Sequence, residues 1–99
     1  MQKLKKSRKL GTQLSISEPK LVQVVFLNDD FTPMTFVVDV LIRIYKKGYA
    51  EAVALMLEVH NNGSSVVGEY PLEIALTKVH KTLSEARSKN YPLQVVIKE

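Results

Sequence analysis

Residues 21–34 read Leu21-Val22-Gln23-Val24-Val25-Phe26-Leu27-Asn28-Asp29-Asp30-Phe31-Thr32-Pro33-Met34. The first seven are Val, Leu and Phe broken only by Gln23, the composition of a strand largely buried on both faces. Asn28-Asp29-Asp30 stops it, because these short polar side chains bond nearby backbone and favour turns. Thr32-Pro33 then opens a helix: threonine is a competent N-cap, and proline at the first helical position gives up no useful donor. No other stretch gathers so many acceptor oxygens at one junction. Such a junction is suited to receive a positively charged group, with the rest of the chain shaping a pocket beside it.

Working forward from this stretch, Phe36, Val37, Val40, Leu41 and Ile44 recur at helical spacing and form one apolar face. Lys46-Lys47-Gly48 ends that helix, with cations at its negative pole and a glycine free to turn left-handed. A second helix spans about 49–60 with a stripe of Tyr49, Val53, Met56, Leu57 and His60, and Asn61-Asn62-Gly63 terminates it. Residues 65–70 read as a short strand. Pro71 opens a third helix with Leu72, Ala75, Val79, Leu83 and Ala86 on one face, and Pro92 breaks what remains of it. Residues 93–98 are β-rich and make the last strand. The order β-α-α-β-α-β predicts an α+β fold, a small single domain with three helices packed on a three-stranded antiparallel sheet. Order alone leaves the strand neighbours open.

The totals narrow the function classes. Ninety-nine residues support one core, and 45% apolar content is that of an ordinary globular chain. The absence of cysteine excludes disulfides, thiolate metal sites and cysteine nucleophiles, and is compatible with a reducing compartment. No apolar run approaches the roughly 20 residues of a membrane span, and the basic N-terminus lacks the apolar core of a secretory signal. The net charge of +4 is unevenly placed. Residues 1–20 carry Lys3, Lys5, Lys6, Arg8, Lys9 and Lys20 against Glu18, a net +5, so the remaining residues carry −1. Residues 1–19 are accordingly read as a flexible basic arm, and residues 20–99 as the folded domain. The arm offers a nucleic-acid or ribosome contact by charge alone, which is the alternative functional reading. The body has no basic stripe with interleaved aromatics, so no nucleic acid is expected there.

Few residues can carry chemistry. His60 lies four residues after Met56 on the same helix face, in the last turn, where it serves either as a cap for carbonyls or as part of a site. His80 falls off the apolar face of the third helix and reads as solvated. Asp29 and Asp30 make an acidic pair, but no nucleophile accompanies them and their spacing is not that of a metal loop. No catalytic centre, metal or cofactor is therefore expected. The plain reading of Asn28-Asp29-Asp30 is a turn that satisfies its own backbone. Met34 and Met56 are either core or the adaptable wall of a pocket.

Taken together, Val24–Met34, Phe36-Val37-Val38-Asp39-Val40-Leu41, Met56-Leu57-Glu58-Val59-His60, Gly63, Glu73-Ile74-Ala75, Lys78-Val79 and Pro92-Leu93 resemble the ClpS family. These are the adaptors that deliver N-end-rule substrates to the Clp ATPase–protease, and the likeness runs in register over about residues 20–99. The resemblance implies a non-catalytic adaptor for N-degron proteins, which begin with Leu, Phe, Tyr or Trp and carry a free α-amine. It assigns Asn28, Asp29 and His60 to the α-ammonium group and the first peptide unit, with Asp30 supporting the loop. Thr32, Met34, Val37, Met56, Val59 and Leu93 would line the cavity for the first side chain, Met34 as a gate against Ile and Val. Glu73 and Lys78 match the surface that docks on the N-terminal domain of a ClpA-type AAA+ ATPase. The implied location is the bacterial cytoplasm or a plastid stroma.

The chemistry of such a site is self-consistent. An ammonium has three donors and one charge, and an Asn carbonyl, a carboxylate and a neutral imidazole nitrogen can accept them. Each such bond contributes about 1.5–3 kcal/mol, and a buried Leu or Phe side chain about as much. After the costs of association this reaches roughly micromolar affinity. Three positions depart from the family pattern: Phe31 stands where Tyr is common, Pro71 replaces a frequent Thr and removes a side-chain cap, and the arm is unusually basic.

Overall fold

The structure is a computed structural model and describes residues 20–99; the arm expected over 1–19 lies outside the described residues. Six elements follow in the order β1 (Leu21–Leu27), α1 (Met34–Arg43), α2 (Tyr49–Asn62), β2 (Ser64–Pro71), α3 (Leu72–Ser88) and β3 (Gln94–Lys98). The sheet is antiparallel with β1 in the middle, in the order β2-β1-β3. The central place goes to the most apolar strand, whose Val22, Val24, Val25 and Phe26 are all buried. The β1–β2 register slips by one residue between Val24 and Val25, leaving Val67 as the extra residue of a bulge. The slip lets Val67 and Tyr70, an odd number of residues apart, both meet the core. Gly68 belongs to the same device: a Cβ there would stand 2.5 Å from the Tyr70 hydroxyl oxygen, so the ring needs a bare backbone beneath it.

The core centres on Phe26, Leu41, Leu93, Val24, Val40 and Val67. Phe26 meets Tyr45 edge-on at 5.4 Å between centroids. Thr82 donates its hydroxyl to the Lys78 carbonyl at 2.7 Å, so the Tyr45 hydroxyl is the donor in their 2.9 Å bond. Burial pushes the Tyr45 phenol up to about 12. The apolar face expected on α1 is buried throughout, as Phe36, Val37, Val40, Leu41 and Ile44 all lie inside.

Four local expectations are corrected. The N-cap of α1 is Pro33, without a side-chain cap bond, because the Thr32 hydroxyl is turned back to Asp29. The left-handed residue after α1 is Lys46 at φ 61°, whereas Gly48 is extended at φ −70° and serves as N-cap of α2, its carbonyl accepting from Ala52. On α2 the buried residues are Ala52 and Val59, with Leu55 and Met56 half-buried beside them, and Tyr49, Leu57 and His60 are exposed. Close helix packing there selects the small Ala52 over the larger Tyr49. On α3 Ala75 and Ala86 are buried and Val79 and Leu83 pack on the core as expected, but Thr82 joins them inside, its hydroxyl satisfied as above, while Leu72 is half in solvent.

Candidate functional site

The site forms where the C-terminal end of β1 meets the C-terminal end of α2. Gly63 closes α2 in the left-handed conformation at φ 91°, and its N–H donates to the Val59 carbonyl at 2.9 Å. Its own carbonyl accepts the Asn28 N–H, also at 2.9 Å. This bond extends the β1–β2 ladder, whose last pair is Leu27 and Ser64, and sets the 28–33 loop beside the last turn of α2, with Asn28 and His60 on one cavity.

Asp29 shapes the loop. Its Oδ1 accepts the Phe31 N–H at 2.8 Å and the Thr32 N–H at 2.7 Å, and its Oδ2 accepts the Thr32 hydroxyl at 2.8 Å. Burial works against the charged form. The bonds from Thr32 and Phe31, with Arg87 at longer range, outweigh it and hold the carboxyl below its usual value of 3.8. An ionised carboxylate has about four acceptor positions. The loop fills three, which leaves a charged Oδ2 with room for one more donor. Asp30 is exposed and makes no side-chain hydrogen bond among the described residues, so the loop-supporting bonds come from Asp29.

Beside this loop is a cavity of about 180 Å³. It is lined by Asn28, Asp29, Asp30, Thr32, Met34, Val37, Met56, Val59, His60 and Leu93, so every residue assigned from the sequence to substrate is brought to one place. Leu27 lines it as well and was not anticipated. Val37, Val59 and Leu93 are buried and form the floor; Asn28, Met34 and His60 are exposed and form the rim. An apolar cavity of about 150 Å³ is known to hold one benzene ring. This one therefore suits a single branched or aromatic side chain, with acceptors around its mouth.

Glu73 and Lys78 lie elsewhere, along a cleft between the end of α1 and α3 that also includes Ile44, Lys46 and Lys81. Glu73 is exposed in the first turn of α3. Lys78 is half-buried: its ammonium donates to the Ile44 carbonyl at 2.8 Å and lies 5.2 Å and 5.9 Å from the ring centroids of Tyr70 and Tyr45. Burial, then the repulsion of Lys46 and Lys81, lowers its pKa. It supplies the cation expected at the negative pole of α1 from another helix.

Among the described residues, no group of three His, Cys, Asp or Glu side chains is placed to hold a metal ion, and no helix is long and apolar enough to cross a membrane. A family model for ClpS, the ATP-dependent Clp protease adaptor protein, matches residues 17–96. The chain belongs to the ClpS family. A ClpS adapter protein of Treponema denticola is 46% identical over 98 residues, covering 97% of each chain. One of Campylobacter jejuni is 44% identical over 87 residues, covering 88% of this chain and 91% of that protein. Among solved structures, Agrobacterium tumefaciens ClpS2 bound to L-phenylalaninamide superposes with a TM-score of 0.78 at 32% identity. The match covers 82% of this chain and 98% of that one. The three helices and three antiparallel strands are thus a ClpS fold.

Proposed function

We propose that this ClpS-family adaptor binds the first residue of proteins that begin with Leu, Phe, Tyr or Trp and hands them to a ClpA-type AAA+ ATPase of the Clp protease. The observation that carries the reading is one cavity with two kinds of wall. Its floor accepts one apolar side chain, and its rim holds the Asn28 amide, the open Oδ2 of Asp29 and the His60 imidazole. Only a chain's first residue presents an ammonium and a side chain on the same carbon. L-phenylalaninamide, the ligand of the Agrobacterium relative, has both, with an amide in place of the next peptide bond. The acceptors are read as binding groups, and the one hydroxyl on the cavity wall among the described residues, that of Thr32, is committed to Asp29. Asp30 and Thr32 complete the loop side, and Met34 and Met56 form adaptable walls, Met34 at the rim where it disfavours β-branched side chains. Exposed Glu73 offers the ATPase N-terminal domain a charge on α3, with Lys78 holding the surface beneath. The natural setting is a bacterial cytoplasm or a plastid stroma.

A fluorescent peptide beginning with Phe is expected to bind with roughly micromolar affinity. N-acetylation, which removes the charge and two of the three donors, is expected to weaken it at least a hundredfold. Equal affinity for the acetylated peptide would overturn the reading.

A further inference from the structure

The apolar stripe on α2 is only partly covered within the fold. Tyr49 is 72% exposed, Val53 and Met56 are half-buried, and Met34 on α1 is 43% exposed. With Val38 and Ile42 these side chains line a second groove, of about 390 Å³, between α1 and α2. Its one charged lining residue, Asp39, is already held by Arg43 through bonds of 2.9 and 2.7 Å. The groove adjoins the first cavity, because Met34 and Met56 line both.

We propose that this groove is a second subsite that takes an apolar side chain at the third position of the same bound peptide. The inference rests on the first-residue reading above. In an extended peptide successive side chains alternate, so the first and third share a face, about 7 Å apart. With the first side chain in the cavity, the third returns to the protein beyond the two shared methionines. Their unbranched thioethers adjust to both occupants. An acidic third residue gains no ion pair there, since no cation lines the groove among the described residues.

The test is fluorescence anisotropy on the full chain with serine-rich peptides that begin with Phe and carry Leu or Ser at position three. Leu is expected to bind about tenfold more tightly than Ser, a free-energy gain of about 1.4 kcal/mol. Tyr49→Ala, at an exposed position, is expected to remove most of that gain and leave the Ser peptide unchanged. Val53→Thr, which keeps the branched shape but adds a hydroxyl, should act in the same direction more weakly. Equal affinity of the Leu and Ser peptides, both binding and both lost on acetylation, would remove the subsite and leave the first-residue reading standing. Loss of acetylation sensitivity, or no binding of either peptide, would remove both. A Leu gain that survives Tyr49→Ala and Val53→Thr would overturn the proposal. So would a concentration-dependent dimer dissolved by Tyr49→Ala, which would give the groove to a second copy of the chain.

Discussion

Two regions of this molecule set charged groups beside apolar walls, and they use them in opposite ways. At the cleft between α1 and α3, the Lys78 ammonium is turned inward onto the Ile44 carbonyl and under two tyrosine rings. At the β1–α1 junction, Asp29 also satisfies its own chain, but its three bonds leave one acceptor position open on a residue that lines the cavity. The first charge holds the fold, with one of its donors on a backbone carbonyl and two rings beside it. The second does both tasks, and what separates them is surroundings: Asp29 stands at a cavity with an apolar floor sized for one side chain.

The largest expected effect comes from separating the two tasks of Asp29. Asp29→Asn keeps an oxygen for the Phe31 and Thr32 N–H groups but removes the charge. Asp29→Ala removes both. Peptide affinity should fall roughly tenfold to a hundredfold in either variant, because a hydrogen bond to an ammonium contributes about 1.5–3 kcal/mol. Stability should fall chiefly in Asp29→Ala, by about 1 kcal/mol, or roughly 4–8 °C in Tm for a domain this small. Anisotropy and thermal melts on the same preparations read the two effects apart. Wild-type affinity in Asp29→Asn would reduce the carboxylate to a turn former.

Lys78→Met inverts the pattern. It keeps a long apolar stem beside Tyr45 and Tyr70 and deletes the bond to Ile44, so stability is expected to drop by about 1 kcal/mol. Peptide affinity should stay within about twofold, since none of the cavity lining is touched. An unchanged denaturation midpoint would mean that the ammonium contributes nothing to the fold and would break the contrast with Asp29.

These contrasts differ in how readily they can be read from sequence. The bonds of Asp29 span two and three residues, and an Asn-Asp-Asp run announces such a turn. The bond of Lys78 reaches a backbone carbonyl 34 positions away, which composition does not mark. Strand β1 and the buried face of α1 were legible because large β-branched and aromatic side chains dominate them. The contact line of α2 was misread because spacing counts large apolar residues, while close packing chose Ala52. Leu27 escaped notice for a related reason: in a strand buried on both faces, alternation no longer says which side chains point toward a cavity. The ten cavity residues came from the family resemblance, and the structure adds the backbone bond from Asn28 to Gly63, at the end of the β1–β2 ladder, where their two halves meet.

The smallest expected effect is in acid. The folded-state pKa of Asp29 lies below its usual 3.8, so the carboxylate favours the folded form wherever it is ionised in both states. Its contribution should be fully present above about pH 5, decline as pH falls through 3.8, and be gone below the lowered folded value. Wild type and Asp29→Asn compared by thermal melts should therefore keep a constant Tm difference from pH 7 to 5 and converge below pH 4. The change amounts to a few degrees at most, because the group is only partly buried and solvent screens its charge. The asparagine variant isolates this one titration from the other carboxylates, which unfold both proteins alike in acid. A Tm difference that stayed constant down to pH 3 would mean that the loop bonds do not depend on the charge. The turn would then be as secure with a neutral side chain, and the negative charge would be there for a bound ammonium alone.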